Sequence, residues 1–360
     1  MKKIAIVLKN LTRGGAEKQS ILLARALADE YKIHYVILNG HKVNENYLAL
    51  LHSDNRIVVH SFSGNLIHRT KQFYDCIREL SPYAIFSYLT MANLIAAAVG
   101  RLCGCGRIYT GLRNARLPWP KLVADRFICN HLATYAISNS ISGIEHFASR
   151  GFLTEKMAAI SNCYESITPY THKTPHEEIR IITVGRFVKQ KDYKTAIKAI
   201  AALNCQPKIR FTIIGFGELE PQIRKWVREE GIENITEIMI NPDNIPTILR
   251  DADIYISTSL FEGMSNAIME AMNADLPIVC TNVGDNNKLV VEGLNGYICP
   301  VGDWKELADR TRYLILHDEE RVAFGRKSKE ILERNYDVEI FRTKYIKLIQ
   351  DKISDSGKYE

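Results

Sequence analysis

Two carboxylates stand close together in the second half of the chain, on either side of a predicted turn. Glu262 and Glu270 are eight positions apart, and the turn between them follows the apolar run 254–257 and precedes an Ala-, Met- and Ile-rich helical pattern. In open α/β folds such a turn lies at the carboxyl edge of a parallel sheet, where ligands bind. Because separate carboxylates can accept hydrogen bonds from separate hydroxyls, the pattern predicts a sugar-nucleotide site. For Glu270, the alternative is an ordinary first-turn carboxylate favoured by the helix dipole.

The residues between the two glutamates are suited to an anion. Gly263 lets the backbone approach a ligand or adopt positive φ, and Ser265 is a typical N-cap for the helix that follows. The amides of residues 266–268 should then be free to face a phosphate. We expect the side chains of Met264, Ser265 and Asn266 to line the pocket and to help select the sugar.

Two cations follow the first apolar strand predicted for the second half of the chain. Arg186 comes directly after residues 181–185, and Lys191 follows five positions later. An arginine fork and a lysine can grip two phosphate groups, and positive charge at a departing phosphate lowers the barrier to sugar transfer. We therefore predict that these two residues hold a diphosphate. A solvated cationic face that includes Lys189 and Lys194 is the alternative interpretation of the lysines.

These features resemble one enzyme family over nearly the whole chain and in the family's order. The resemblance is carried by the segments 3–7 (KIAIV), 13–17 (RGGAE), 184–187 (VGRF), 189–191 (KQK), 214–219 (IGFGEL), 262–272 (EGMSNAIMEAM), 276–284 (LPIVCTNVG) and 295–297 (NGY). The chain is similar to the retaining glycosyltransferases of family 4, which include bacterial surface-polysaccharide enzymes. This resemblance implies the GT-B fold, an α/β architecture of two Rossmann-like domains whose parallel sheets face a central cleft.

The resemblance also implies roles for individual residues. Catalytic roles fall on Glu262, Arg186 and Lys191. Contacts with the donor are implied for Gly15, Arg186, Lys191, Gly215, Asn241, Gly263, Met264, Ser265, Asn266 and Glu270. Arg13 and Glu17 are expected to meet the donor or the acceptor. Many relatives have a sugar-contacting histidine in the region of 111–116; this sequence has none there, so Arg113 or Asn114 is expected to make that contact.

Alternating apolar runs and helical patterns predict parallel sheets joined by crossover helices. Two sets of six strands are predicted, at 3–8, 33–38, 56–60, 84–87, 107–110 and 134–138, and at 179–184, 209–214, 235–239, 254–257, 277–280 and 297–299. The polar stretch 168–178 between the sets predicts a linker. We therefore expect an N-terminal acceptor-side domain of residues 1–165 and a C-terminal nucleotide-sugar-binding domain of residues 166–337. A final helix, about 338–353, is expected to pack back on the first domain.

Composition agrees with two α/β cores in a protein of the cytoplasm. A chain of 360 residues with 46% apolar content exceeds the size at which one core usually stops growing. The first residues lack the pattern of a signal peptide, and the longest apolar run, 94–99, is too short to cross a bilayer. The eight cysteines are scattered and are expected to be reduced and structural.

Charge is unevenly distributed along the chain. Residues 1–165 carry 20 Lys and Arg against 11 Asp and Glu, a net charge of +9, which leaves −3 for the remainder. A basic half favours an anionic partner, so we expect a lipid-linked acceptor and a peripheral contact with the anionic inner face of the plasma membrane. No sequence pattern of a nucleic-acid-binding module is present, and no nucleic acid partner is expected. A solvated surface without a partner is the alternative.

The combined prediction is a transfer of a hexose-type sugar from a nucleotide-diphosphate sugar, expected to be a UDP-sugar, to a hydroxyl of a growing surface glycan. That glycan is expected to be lipopolysaccharide, capsule or exopolysaccharide. The nucleotide sugar is a co-substrate, and no cofactor or metal is predicted, because Asp251-Ala252-Asp253 fits a helix-to-strand turn better than a metal site. Two alternatives stay open: a GT-B nucleotide-sugar 2-epimerase, and a catalytically silent GT-B subunit that binds a glycan or a partner transferase.

Overall fold

The computed structural model describes residues 1–113, 117–169, 177–203 and 208–350. They form two compact units, one of residues 1–165 together with the C-terminal helix, and one of residues 166–337. Within the described ranges, no helix is both long enough and apolar enough to cross a bilayer. The predicted linker 168–178 falls mostly outside the described residues.

The first unit is built on a parallel sheet. Its strands are β1 (Lys3–Leu8), β2 (Lys32–Ile37), β3 (Ile57–Ser61), β4 (Ala84–Tyr88), β5 (Ile108–Leu112), β6 (Tyr135–Ser138) and β7 (Met157–Ala159), and its helices are α1 (Gly15–Leu27), α2 (Glu45–His52), α3 (Leu66–Leu80), α4 (Thr90–Leu102), α5 (Trp119–Phe127) and α6 (Ile141–Ala148). The strand order is β3-β2-β1-β4-β5-β6-β7. One apolar cluster joins α1 to the sheet, and another joins α3 and α4 to it, so both faces of the sheet are covered.

The prediction of six strands for this sheet is wrong, because the sheet has a seventh. Strand β7 is only three residues long, consists of Met and Ala, and pairs with β6 alone. Neither residue type favours strands, and three residues are too few to show an alternating pattern. Pairing with an existing edge, not local propensity, therefore makes these residues a strand.

The second unit is also built on a parallel sheet. Its strands are β8 (Glu178–Val184), β9 (Lys208–Gly215), β10 (Thr236–Ile240), β11 (Ile254–Ser257), β12 (Ile278–Thr281) and β13 (Gly296–Cys299), and its helices are α7 (Tyr193–Ala201), α8 (Glu220–Glu229), α9 (Ile245–Arg250), α10 (Asn266–Asn273), α11 (Asn286–Leu289), α12 (Trp304–Leu316) and α13 (Asp318–Tyr336). The order β10-β9-β8-β11-β12-β13 reverses between β8 and β11, as the first sheet reverses between β1 and β4. Such a reversal opens a crevice at the carboxyl ends of the two strands.

The last helix, α14 (Val338–Ile349), belongs to the first unit. It packs beside α1, and its Tyr345 meets Phe86 of β4 edge-on at 5.6 Å between ring centroids. Phe86 in turn stacks on Tyr109 of β5 at 4.6 Å, and the Tyr109 hydroxyl donates to the carbonyl of Leu348 at 3.3 Å. An aromatic cluster therefore fixes this helix to the sheet. Residues 351–353, the end of the predicted helix, lie outside the described residues.

A buried ion pair ties α13 to the turn before β12. Lys329 Nζ lies 2.9 Å from Asp275 Oδ1, and the two side chains are only 5% and 3% exposed. Asp275 has φ +57°, and a side chain at Gly325 would overlap its carbonyl oxygen. Gly325 thus lets α13 lie close to Asp275, and this close approach brings Lys329 within reach of the Asp275 carboxylate.

A second buried polar feature is the histidine pair on β2 and β3. His34 Nδ1 lies 3.0 Å from His60 Nε2. Burial, then the neighbouring His60 and the lysines at 32 and 3, lower the pKa of His34 to about 4, and burial also lowers the pKa of His60 against an opposing effect of Glu79. The folded first unit therefore favours the neutral form of both rings.

Replacing Lys329 with Met should leave Asp275 as a buried unpaired carboxylate. We expect a loss of about 3–5 kcal/mol in unfolding free energy, measured by thermal and urea unfolding. Adding Asp275→Asn should restore part of that loss. The matched control is Lys327→Met, since Lys327 pairs with Glu330 on the exposed face of the same helix and should contribute less than about 1 kcal/mol. Equal losses of unfolding free energy in Lys329→Met and Lys327→Met would contradict a stabilising role for the buried Lys329–Asp275 pair.

Acid should destabilise the first unit through His34. Because its folded pKa lies below the unfolded value of 6.5, the unfolded chain binds more protons, and stability falls as the pH drops from about 6.5 toward 4. The full shift corresponds to roughly 3 kcal/mol. His34→Gln should flatten the decline of Tm over this range, whereas His68→Gln, on exposed α3, should leave it unchanged. A parallel decline in all three proteins would refute the prediction.

Candidate functional site

The predicted site residues of the second unit lie in two loops at the carboxyl edge of its sheet. One loop follows β8 and contains Arg186 and a 3₁₀ turn at Lys189–Lys191, and the other follows β11 and leads through Glu262 into α10. Because β8 and β11 are neighbours at the reversal of strand order, the two loops meet. The amide of Leu260 donates to the carbonyl of Gln190 at 2.8 Å, which joins them directly.

Lys191 and Glu262 form an ion pair at the junction of these loops. Lys191 Nζ donates to Glu262 Oε1 at 2.6 Å, and the side chains are 18% and 11% exposed. The hydroxyl of Ser259 donates to the same oxygen at 2.8 Å, and the side-chain amide of Gln190 donates from Nε2 to Glu262 Oε2 at 3.4 Å. We expected Glu262 to accept from substrate hydroxyls; in the structure its oxygens accept from the protein.

Gln190 and Ser259 are parts of this site that the sequence prediction missed. Gln190 also donates to the carbonyl of Phe261 at 2.8 Å, so it clamps the turn that carries Glu262. A weak signal existed, since Ser259 precedes Glu262 by three residues and Gln190 lies between two lysines of the predicted phosphate site. Neither residue type carries a distinctive chemical pattern, so only the fold makes their role visible.

Arg186 is in a different setting from Lys191. Its side chain is exposed and makes no hydrogen bond or ion pair with any residue in the described part of the chain. The preceding Gly185 carbonyl accepts from the buried Tyr193 hydroxyl at 2.7 Å, and a side chain at Gly185 would crowd both Tyr193 and Lys191. The backbone that carries Arg186 is thus fixed while its guanidinium is free to move.

Helix α10 begins next to this pair. Ser265 is its N-cap, as predicted, and its hydroxyl accepts from the amide of Ile268 at 3.4 Å. The expectation that the amides of residues 266–268 are all free is therefore wrong for Ile268. Met264 and Ser265 are buried, whereas Asn266 is half-buried, so Asn266 is the more accessible of the predicted pocket side chains.

The two glutamates of the sequence signature approach the same buried phenol. The pKa of Tyr255 in β11 is raised, first by burial, then by the nearby Tyr193 and Glu270, with a smaller contribution from Glu262. Both carboxylates are therefore near enough to Tyr255 to disfavour its ionised form. Gly263 contributes a backbone contact, since its carbonyl accepts from the amide of Asp285 at 2.8 Å.

Gly215, the last residue of β9, and Asn241, directly after β10, take part in the packing of the unit itself. A side chain at Gly215 would overlap the carbonyl oxygen of Gly185 and the ring of Phe187. Asn241, which is exposed with φ +48°, donates its amide to the carbonyl of Gly215 at 3.1 Å. Close approach of backbone to backbone is enough to explain the glycine.

In the first unit, Glu17 is buried and turned back on its own helix. It accepts from the hydroxyl of Thr12 at 2.8 Å, and its carboxylate covers Gly14, the N-cap of α1. Gly15, the first residue of α1, is exposed, and Arg13 is half-buried in the loop before it. A carboxylate at this end of a helix is favoured by the helix dipole.

Arg113 holds together three parts of the first unit. Its guanidinium donates to Asn162 Oδ1 at 2.9 Å and to the Tyr345 hydroxyl at 3.3 Å, and it lies 4.8 Å from the centre of the Tyr88 ring. Arg113 was one of the two residues that we expected to replace the family histidine, and in the structure its guanidinium already has these partners within the protein. Asn114 lies outside the described residues.

The Asp-x-Asp sequence has a structural role. The carboxylate of Asp253 accepts from the amide of Arg180 at 2.8 Å, and the amide of Asp253 donates to the carbonyl of Arg180 at 2.8 Å. These bonds clamp the start of β11 to β8. Among the described residues, no group of three or more His, Cys, Asp or Glu side chains is placed to hold a metal ion.

Comparison with known proteins finds a family match over part of the chain. Residues 168–331 match the family model described as "Glycosyl transferases group 1". An uncharacterized glycosyltransferase of Haemophilus influenzae is 24% identical, in a match that covers 94% of this chain and 97% of that protein. An Escherichia coli protein named UDP-Gal:alpha-D-GlcNAc-diphosphoundecaprenol alpha-1,3-galactosyltransferase is 32% identical over 33% of this chain and 32% of its own length.

Most of these matches are partial. Other curated relatives, several of them named for colanic acid or lipopolysaccharide core biosynthesis, are matched over 35% to 52% of their own length. The chain thus spans about half or less of most curated relatives it matches.

The solved structure of Anabaena Alr3699/HepE in complex with UDP-glucose resembles the whole chain. The TM-score is 0.84 at 18% identity, and the match covers 98% of this chain and 100% of that chain. The architecture, two Rossmann-like units with parallel sheets, is thus the GT-B fold of glycosyltransferases. The family match, residues 168–331, falls within the second unit of this fold.

The Lys191–Glu262 pair should couple the stability of its two loops. We expect Lys191→Met and Glu262→Gln each to lower the unfolding free energy by about 1–3 kcal/mol, because each leaves a partly buried partner without its best hydrogen bond. Since both remove the same interaction, the double variant should lose clearly less than the sum, as a double-mutant cycle would measure. Lys194→Met, at an exposed position on α7, is the control. Additive losses would show that the pair does not form.

Proposed function

We propose that the protein is a retaining, metal-independent glycosyltransferase of the family 4 type. It would move a hexose-type sugar from a nucleotide-diphosphate sugar, a UDP-sugar, to a hydroxyl of a growing, lipid-linked surface glycan. The observation that carries this proposal is the Lys191–Glu262 ion pair, which joins the loop that carries Arg186 to the capped start of α10 at the reversal of strand order in the second sheet.

The positive groups of this site suit a departing diphosphate. Arg186 has a free guanidinium on a fixed backbone, and Lys191 holds a carboxylate that a phosphate oxygen can replace. The first amides of α10 and the helix dipole add positive potential at the same place. These groups stabilise the charge that develops as the bond from the sugar anomeric carbon to the phosphate oxygen breaks.

Donor binding would also change the state of Glu262. When Lys191 turns to the diphosphate, one carboxylate oxygen of Glu262 loses its shortest hydrogen bond and becomes an acceptor for a sugar hydroxyl. Ser259 and Gln190 still hold the carboxylate in place. Glu270, in the helix that follows this turn, would accept from a second hydroxyl of the donor.

The reaction itself would retain the anomeric configuration. The acceptor hydroxyl attacks the anomeric carbon on the face that the diphosphate leaves, and a phosphate oxygen of the leaving group takes the hydroxyl proton. One glycosidic bond forms, one sugar–phosphate bond breaks, and the proton leaves on the nucleoside diphosphate. Arg186 and Lys191 supply the positive charge that a metal ion supplies in other transferases, so no metal is required.

Donor and acceptor are proposed from chemistry and from relatives together. The similar HepE structure was solved in complex with UDP-glucose, and a UDP-sugar and a lipid diphosphate appear in the name of the Escherichia coli relative. The net charge of +9 on residues 1–165 is consistent with a lipid-linked anionic acceptor. We therefore place the protein in the cytoplasm, in peripheral contact with the inner face of the plasma membrane.

Arg186→Ala tests the donor site. In calorimetric titrations with UDP, GDP and a panel of their sugars, the unmodified protein should select one UDP-sugar, and the variant should bind it roughly 10- to 100-fold more weakly, the loss expected for one charged hydrogen-bonding group. Arg228→Ala, at an exposed position on α8, should bind normally. Unchanged binding by Arg186→Ala would refute the assigned phosphate site. Conversion of the sugar nucleotide without any acceptor would instead favour the epimerase.

A further inference from the structure

A shallow groove opens at the carboxyl edge of the first sheet, formed by residues that carry none of the roles predicted from the sequence. Seven residues line this α3–α4 groove: Lys9 after β1, Leu38 after β2, Leu66, Arg69 and Thr70 on α3, and Met91 and Ile95 on α4. The depression between them is shallow and open to solvent, so a ligand would lie along its surface and not inside an enclosed cavity. Because Lys9 and Met91 follow β1 and β4, the groove adjoins the reversal of strand order, which is where open α/β sheets bind ligands.

The floor and rim of the groove are apolar. Leu38 is buried beneath it, whereas Leu66 is half-exposed and the adjacent Ile67 is 83% exposed. On α4, Leu94 is exposed and lies on the same helical face as Met91 and Ile95. Neighbouring exposed apolar residues on two helices are costly in water and indicate an apolar ligand.

The two ionisable groups of the groove are both cations. Lys9 is exposed, and its ammonium makes no hydrogen bond or ion pair with the described residues. Arg69 is half-buried and makes one long bond of 3.4 Å to the carbonyl of Asn65. Both cations thus stand over an apolar floor with donors to spare for an anion. The N-terminal end of α4, which has no side-chain cap, adds to the positive potential.

We propose that the α3–α4 groove binds the phosphate-bearing end of a polyprenyl-type lipid, with the phosphate on Lys9 and Arg69 and the first hydrocarbon units on Leu66, Met91 and Ile95. A free phosphate or nucleotide would leave the apolar floor in water, and an uncharged lipid would leave the two cations unpaired. An amphiphile with an anionic end matches both. This inference rests on the proposed function, since it names the part of the acceptor that would anchor a lipid-linked glycan.

Vesicle flotation with the full-length protein tests the groove without any need for catalysis. Phosphatidylcholine vesicles would contain either a polyprenyl phosphate, the matching uncharged polyprenol, or phosphatidylglycerol at equal surface charge. We expect the protein to bind the polyprenyl phosphate vesicles at least about five-fold more tightly than the other two, the effect of about one well-placed charge contact.

Variants separate the groove from general surface attraction. Arg69→Gln and Leu66→Ser should each weaken binding to polyprenyl phosphate vesicles about five-fold. Their matched controls are Lys71→Gln, an exposed cation on the same helix, and Leu102→Ser, at the far end of α4 where the leucine is 76% exposed. Both controls should bind within about two-fold of the unmodified protein, because neither residue lines the groove.

The outcomes distinguish this inference from the proposed function. Equal binding to polyprenyl phosphate and phosphatidylglycerol vesicles would refute the lipid site in the groove. Equal losses of vesicle binding in Arg69→Gln and Lys71→Gln would also refute it and would indicate general attraction to a basic surface. Arg186→Ala should bind the vesicles normally, since its defect lies in the second unit. Selective lipid binding without any donor binding would therefore refute the proposed transferase function and support the lipid site in the groove. Donor binding and transfer to a soluble acceptor, without lipid selectivity, would support the transferase function and refute the lipid site.

Discussion

Parallel strand pairing is the constraint on which the rest of this structure depends. Because neighbouring strands in both sheets run in one direction, the loops that follow them collect at a single edge. Residues far apart in sequence, such as Lys191 and Glu262, become neighbours only through this geometry. Where the strand order reverses, the connections that follow turn to opposite faces of the sheet. The candidate donor site and the α3–α4 groove both adjoin such a reversal, one in each unit.

The Lys191–Glu262 pair resolves an electrostatic problem of the unliganded site. A site built for a diphosphate concentrates positive charge, and that charge needs a counterion when no ligand is bound. Glu262 supplies it from within the protein, and Ser259 and Gln190 satisfy the carboxylate further. A ligand must then compete with an existing ion pair, which lowers affinity for free anions such as phosphate. In the proposed function, selectivity for a complete donor would follow, since the sugar hydroxyls would gain Glu262 as an acceptor when the phosphate binds Lys191.

The sequence predicted most of the fold because its strands are apolar runs of ordinary length, but it failed where tertiary contacts decide the structure. The short β7 depends on an edge offered by β6, and the use of the Ile268 amide depends on a rotamer of Ser265. The candidate donor residues were predicted by type and spacing, whereas Gln190 and Ser259 were missed because amides and hydroxyls are common in loops. The α3–α4 groove was also missed, because its residues come from four separate elements and no local pattern joins them.

Arg113, one of the two residues expected to replace a family histidine, differs from a histidine in what it can do. An arginine stays charged at every physiological pH, so it cannot exchange protons as a histidine does. A permanently charged, partly buried guanidinium needs several acceptors, and here it is surrounded by Asn162, the Tyr345 hydroxyl and the face of Tyr88. Since Tyr345 belongs to α14, the arginine also joins the last helix to the end of β5. The charge of Arg113 thus contributes to the cohesion of the first unit, and in the proposed function an anionic acceptor would be recognised by cations with spare donors, such as Lys9 and Arg69.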